Sequence, residues 1–430
     1  MKALIMTLGT RGDVQPFVAL ARALDAAGHE AVVCAPHRFA DFVTGSGVTF
    51  AGVDDGPMRQ LDTPAEAGDA FQGGVRMRLR QIREMPSMFD QVLADSWQVA
   101  ARGAGEGADL VVHNGQILAG QHVAEALGIP AVLGLPLPMY VPTREFPWPG
   151  QSLPFGLPGW LNRATFGGMR LPASIFGRVI DRWRRNTLGL PPRSGRHNPM
   201  VRPDGGPAPV LHAHSPSVLP QPRDWPDGAE VTGYWLLPAQ PQLPADVEQF
   251  LTAGPAPLFA GFGSMTGLDR EARTTAVVEA AALTGNRLVM ATGWGGLDAG
   301  TANAAAADRG VELLVLGDVD YQTLFPRITA IVHHGGAGTT GAAFAAGRPQ
   351  VVCPFVADQP FWGRVAQARG VAPAPLSQRK LTGRALAARI AEACAPTAMA
   401  AAAGLGDRVA RERGLDRAVA LVERAVEACR

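Results

Sequence analysis

Residues 331–363 read IVHHGGAGTTGAAFAAGRPQVVCPFVADQPFWG. Ile331 and Val332 open an apolar strand, two histidines follow, and Gly335, Gly336 and Gly338 make a turn. Thr339 and Thr340 then lead into a helix of small residues, and a second apolar strand, Val351–Phe355, ends near Asp358 and Gln359. Strand, glycine turn and helix N-terminus together make an anion site, because the unpaired N–H groups of the first turn point outward where the helix dipole is positive. The second strand delivers a hydrogen-bonding pair to the same sheet edge. A phosphate at the first station and a polyhydroxylated group at the second is what a nucleotide-sugar needs.

The same alternation of short apolar strands and helices runs outward in both directions, which argues for parallel sheets covered on both faces. The first half reads as strands at Ala3–Leu8, Ala31–Ala35, Val48–Val53, Leu110–His113, Ala131–Leu135 and Val210–Ala213. The second reads as Leu258–Phe262, Arg287–Ala291, Val311–Leu316, Ala330–His333, Gln350–Pro354 and a short Gly370–Pro373. The expectation is an α/β protein of two tandem doubly wound, Rossmann-like domains facing across a cleft: residues 1–215, a proline-rich linker 216–244, residues 245–405, and a C-terminal amphipathic helix in 406–430. In that helix Val409, Leu415, Val419, Leu421 and Val422 are available to pack. Ligands of such folds bind at the carboxyl ends of the strands.

Composition narrows the class. At 430 residues two domains are the default, and a formal charge of +1 gives no electrostatic case for nucleic acid. Cys34, Cys353, Cys394 and Cys429 have neither metal nor disulfide spacing, which points to a reducing compartment. No apolar run approaches the roughly 20 residues of a membrane span, and Met1 runs straight into a strand without a signal peptide, so the expected location is the cytoplasm.

Leu8-Gly9-Thr10-Arg11-Gly12-Asp13 joins the first strand to a helix at Val14–Ala27. Asp13 reads either as a cap for that helix or as a general base at the cleft mouth, and one carboxylate oxygen for each role satisfies both. Gly261-Phe262-Gly263-Ser264 ends another strand, where Ser264 can donate to a phosphate oxygen or simply sit in a turn. Trp294, in a glycine loop, offers a flat wall beside a base or sugar, or a packing lid. Asp318-Val319-Asp320 has the D-x-D pattern of some metal sites, but no further acidic ligands lie near it in sequence, so no metal is implied. His333 and His334 point to opposite faces of a strand and do not chelate one ion easily: one is expected to be buried and the other to face the glycine turn. Arg76, Arg78, Arg80 and Arg83 read as a solvated helix face, or as an acceptor-site lip or a weak contact with a membrane surface.

Taken together, GTRGDVQPFVALARALDAAGHE near the start and VHHGGAGTTGAAFAAGRPQVVCPFVADQPFWGRV later resemble the glycosyltransferases of the GT-B fold. The branch is the bacterial one related to sterol glucosyltransferases and to glycopeptide- or macrolide-antibiotic transferases. Thr10-Arg11-Gly12-Asp13 stands where that family often has Ser-Arg-Gly-Asp. The resemblance implies that the second domain binds a UDP- or dTDP-linked sugar as donor substrate, with no permanently bound cofactor and no metal. His334, Gly336, Ala337, Gly338 and Thr339 would line the diphosphate, with Ser264 and Thr10, Arg11 and Gly12 closing over it. Val319 would bond the base through its backbone, with Trp294 nearby, and Asp358 and Gln359 would hold the sugar hydroxyls. Asp13 would be the base, and the last helix would cross back onto the first domain. A single in-line displacement inverts the anomeric carbon, giving a β-linked product from an α-linked donor.

The first domain would take the acceptor. Met139, Tyr140, Phe146, Trp148 and Phe155 suit a bulky apolar molecule such as a polyketide, macrolide, aromatic natural product, sterol or lipid. A monomer or homodimer is expected. The rival readings are a nucleotide-sugar 2-epimerase, which needs no apolar acceptor pocket, and a non-catalytic binding partner, against which the intact set of Asp13, His334, Asp358 and Gln359 argues.

Overall fold

The computed structural model describes residues 1–61, 85–193, 197–240, 242–263, 269–293, 296–317 and 319–429, with side chains for all of these but 60, 61 and 170–174. Among the described residues the strands form two wholly parallel sheets, because each return runs through a helix or a long crossover. The first contains β1 (Lys2–Met6), β2 (Glu30–Pro36), β3 (Thr49–Val53), β4 (Leu110–His113), β5 (Ala131–Leu135), β6 (Val210–His212) and β7 (Ala229–Val231). Their order is β3-β2-β1-β4-β5-β6-β7. The second contains β8 (Leu258–Gly261), β9 (Leu288–Ala291), β10 (Leu313–Leu316), β11 (Ile331–His333) and β12 (Gln350–Val352), in the order β10-β9-β8-β11-β12. Near-continuous apolar runs such as Ala3–Met6 and Leu288–Ala291 are buried throughout, as strands covered by helices on both faces must be.

Strand order reverses between β1 and β4 in one sheet and between β8 and β11 in the other. In register, Met6 lies opposite His113 and Gly261 opposite His333. The loops that leave each pair therefore start at one level and flank one crevice, the position where sheets of this kind bind ligands.

Three details depart from the sequence reading. The stretch 216–244 is not all linker: Ala229–Val231 pairs with β6, a three-residue strand hidden between Pro226 and Gly233. Beyond it Trp235 is buried edge-on to Phe17 at 5.7 Å, and its Nε1 donates to Thr232 Oγ1 at 2.9 Å. Gly370–Pro373 forms no strand. Gln350 N donates to Val371 O and Leu376 N to Val352 O, but Pro373 and Pro375 remove the donors a ladder needs. The final helical segment is broken in two, Pro396–Ala410 and Gly414–Glu427.

That break is where the chain meets itself. A Cβ on Gly414 would lie 2.6 Å from Tyr234 O, and one on Gly233 only 2.8 Å from Gly414 Cα. Beyond the break, Ala418, Val419, Val422 and Val426 enter the core around helix Arg11–Ala26 of the first unit. In a separate core Phe146 and Phe166 pack with Phe344, Phe361 and Trp362.

Candidate active site

Thr10 is the N-cap of helix Arg11–Ala26, and Asp13 is its third residue. Asp13 Oδ2 accepts from Thr10 N at 2.8 Å and Thr10 Oγ1 at 3.0 Å, a reciprocal capping box rather than an Asp cap. Gly9, at φ +139, allows this turn: a Cβ there would fall 2.4 Å from Asp13 Oδ2. The other oxygen, Oδ1, accepts from Gln116 Nε2 at 3.2 Å. Burial pushes the Asp13 carboxyl above its ordinary range, while the Thr10 and Gln116 donors pull against it.

In the second unit the two histidines divide as their strand geometry requires. His333 is fully buried: its Nδ1 accepts from Gly335 N at 3.1 Å, so its Nε2 carries the proton and faces Gln350 Oε1 at 2.9 Å. It fastens the glycine turn. Gly335 turns at φ +95, with room for no Cβ between Val352 and the Gln359 backbone. His334 is half-buried and lies between two glycines, since a Cβ on Gly263 or Gly336 would meet its ring at 2.9 Å and 2.5 Å. Burial holds its pKa down to about 4, so the imidazole is neutral at pH 7. Gly336 is the N-cap of helix Ala337–Ala345, whose first turn holds Ala337, Gly338 and Thr339. Thr340 instead spends its hydroxyl on Gly336 O at 2.8 Å.

Asp358 and Gln359 start helix Gln359–Ala368 after Ala357, which is strained at φ +55. Gln359 Oε1 accepts from Phe355 N at 2.8 Å and Val356 N at 3.2 Å, leaving the amide NH2 as its remaining donor. The Asp358 carboxyl is pushed up to about 6 by burial. The charge of Asp13 adds to the rise, and the Ala337 amide pulls the other way. Across the cleft, a Cβ on Gly338 would come within 3.8 Å of Gly12 Cα. The site thus gathers three helix N-termini, two carboxylates and a neutral imidazole. It suits a ligand with a negative end and hydroxyls.

Arg11 reaches Gln15 Oε1 at 3.4 Å and lies 4.7 Å over the Phe42 ring. Val319 is half-buried beside the core under β10. Asp320 caps helix Tyr321–Leu324, accepting from Gln322 N and Thr323 N, so one half of the D-x-D pattern has a structural use. Ser264, Trp294, Asp318 and the arginines at 76, 78, 80 and 83 lie outside the described residues.

Of the aromatic set, Tyr140 lies against the loop after β4: a Cβ on Gly115 would fall 2.1 Å from its phenol oxygen, beside Gln116. Phe146 and Phe155 pack edge-on to Phe361 at 5.5 Å and 5.4 Å, two residues past Gln359. Phe146 is buried and Phe155 exposed. The Trp148 ring lies over Gly150 and its backbone N–H donates to Thr165 Oγ1 at 2.8 Å, and Met139 is half-buried. The sequence reading passed over Asn114, Gln116 and Phe361. Polar residues directly after β4, the strand at the order reversal, were the available signal for the first two.

Residues 3–143 match the glycosyltransferase family 28 N-terminal domain, and residues 299–413 the erythromycin biosynthesis protein CIII-like C-terminal domain. The chain is 35% identical to O-mycaminosyltylonolide 6-deoxyallosyltransferase of Streptomyces fradiae, over 98% of this chain and 97% of that one. It is 30% identical to a sterol 3-beta-glucosyltransferase of Cryptococcus neoformans, over 99% of this chain and 27% of the much longer relative. Among solved structures the kitacinnamycin glycotransferase superposes with a TM-score of 0.70 at 19% identity, covering 99% of both chains. Among the described residues no helix is long and apolar enough to cross a membrane.

Proposed function

This chain belongs to the GT-B glycosyltransferases, and from that premise we propose that it moves a sugar from UDP or dTDP to a hydroxyl of a bulky apolar acceptor, with inversion and without a metal. The observation that carries the reading is the meeting of Gly12 and Asp13 with Gly338 and Asp358 across the cleft. A diphosphate at the N-terminus of helix Ala337–Ala345 would meet outward amides and the His334 imidazole, which stabilise the charge that develops as the anomeric bond breaks. Asp358 and the Gln359 amide would hold sugar hydroxyls. The acceptor oxygen would attack from the Asp13 side, and Asp13 Oδ1 would take its proton as the new bond forms.

The acceptor would rest in the first unit against Tyr140 and Phe155. A macrolide-type or sterol-type molecule fits this apolar lining and agrees with what the Streptomyces and Cryptococcus relatives are named for. The four cysteines are unpaired, which supports a reducing, cytoplasmic setting.

Mass spectrometry of reactions pairing UDP- and dTDP-sugars with macrolactones and sterols, run in EDTA, tests the reading. Wild type should form product in EDTA, with a β-anomeric proton coupling by NMR, and Asp13→Asn should lower kcat by about 10²–10⁴-fold. Product that needs a divalent cation, retains configuration or persists in Asp13→Asn would each remove the corresponding part of the mechanism.

A further inference from the structure

The loop Asn114–Leu118 leaves β4 at the strand-order reversal, and its hydrogen bonds have a direction that can be read without ambiguity. Asn114 is buried, and its Oδ1 accepts from Leu8 N at 3.3 Å and Ile117 N at 3.2 Å. A backbone N–H only donates, so this end of the amide is the oxygen and the other end the NH2. That NH2 faces Thr7 Oγ1 at 2.9 Å, Leu8 O at 2.8 Å and Gln116 Oε1 at 2.7 Å. Gln116 must then offer its carbonyl to Asn114 and its NH2 to Asp13 Oδ1, the 3.2 Å contact described above. A second arm runs from the Thr7 hydroxyl, which donates to the Asp13 backbone carbonyl at 2.9 Å. Two bonds, both reaching back to Asn114, thus tie the β4 loop and the residue after β1 to Asp13.

The loop pays a conformational cost for this arrangement. Leu118, its last residue, is held at φ +59, a left-handed conformation that disfavours a branched side chain. Leu118 and Ala357 are the two non-glycine residues with positive φ among those described, and they sit in the loops that present Gln116 and Asp358. Meanwhile Oδ2 of Asp13 is committed to Thr10 twice, whereas Oδ1 takes the single Gln116 bond and keeps a lone pair for a substrate proton.

We propose that Gln116 is a positioning residue for Asp13, aiming Oδ1 at the acceptor hydroxyl, and that Asn114 acts through it by fixing which way the Gln116 amide points. This rests on Asp13 being the base. In this arrangement the Gln116 N–H favours the ionised carboxylate, opposing the burial that favours the protonated one. A neutral amide orients the base without competing for the proton, which a histidine or carboxylate in its place would do.

The test is the pH profile of kcat in Gln116→Leu, Gln116→Glu and Asp13→Asn, with dTDP and UDP affinity measured by calorimetry. Gln116 is exposed, so its replacement leaves the core untouched. Gln116→Leu should lower kcat by roughly 10- to 100-fold and move the acid limb to higher pH, with nucleotide affinity changed less than about twofold. Gln116→Glu should move that limb further, because a like charge beside Asp13 disfavours its ionisation. A wild-type kcat and acid limb in Gln116→Leu, alongside an inactive Asp13→Asn, would overturn the proposal and leave the base assignment standing. Activity retained in Asp13→Asn would instead remove the base assignment, and the role of Gln116 with it.

Discussion

His334 and Asp358 illustrate opposite uses of burial. With a pKa held down to about 4 by burial, His334 offers the proposed diphosphate an uncharged N–H dipole rather than a cation. His334→Ala should therefore lower kcat by about 10²–10³-fold, the cost of one lost donor to a developing anion. His334→Gln, also a neutral donor, should recover part of that loss in steady-state kinetics. Asp358 carries a carboxyl pushed up to about 6, above the ordinary value near 3.9. Between those two values the native protein holds a proton that the unfolded chain has released, so stability falls as pH rises through the window. Above it the charge is a standing penalty. Asp358→Asn should raise the melting temperature at pH 7 to 8 and match wild type near pH 4, while sugar transfer drops. Thermal melts across pH check this, and an Asn variant less stable at every pH would contradict it.

At the scale of elements, the glycine turn between β11 and its helix is set by contacts that admit no side chain. Gly335→Ala would force a Cβ at positive φ to within 2.7 Å of Val352 Cγ1 and 3.0 Å of Gln359 O. It should cost at least about 1 kcal/mol in a urea melt and weaken nucleotide binding, because the displaced carbonyl belongs to the residue beside Asp358. This turn was legible in the sequence: its strand, glycines and helix are contiguous, and local pattern determines local structure. For the same reason Leu110–His113 and Ala131–Leu135 emerge with the bounds their apolar runs indicate. Ala229–Val231 was not legible, since three residues among prolines carry no periodicity and become a strand only by pairing with β6. Gln116 was hidden for a related reason. Its partner Asp13 is 103 positions away, and only the parallel neighbours β1 and β4 bring the two loops together. Nor did charge patterning show that Asn114, a small polar residue after a strand, would be the buried hub of that loop.

The whole molecule is held together by a chain that crosses twice and touches itself at Gly233 and Gly414. Helix Gly414–Glu427 follows the second sheet in sequence, yet it buries Ala418, Val419, Val422 and Val426 in the core of the first. Polar contacts fix its seat: His29 Nε2 meets Glu423 at 2.8 Å, and Arg417 reaches Glu230 of β7 at 2.7 Å, with Arg424 at 3.9 Å from the same carboxylate. Just before it, Glu412 Oε1 accepts from Ser215 Oγ at 2.8 Å and Ser217 N at 3.1 Å, so the second crossing is bonded to the loop that leaves β6. At roughly 1.5–3 kcal/mol for each buried valine, three valines contribute on the order of 5–9 kcal/mol, comparable with the whole stability of an ordinary domain. A chain ended at Arg413 should therefore lose the first unit rather than merely loosen it. Its melting should begin well below that of the full chain, and hydrogen exchange should be fastest in β1, β2 and helix Arg11–Ala26. Because helix Ala337–Ala345 buries Ala342 and Ala343 in the core of the second sheet, nucleotide binding should outlast transfer as temperature rises. Equal melting of the truncated and full chains would mean that the first core is complete without its borrowed helix.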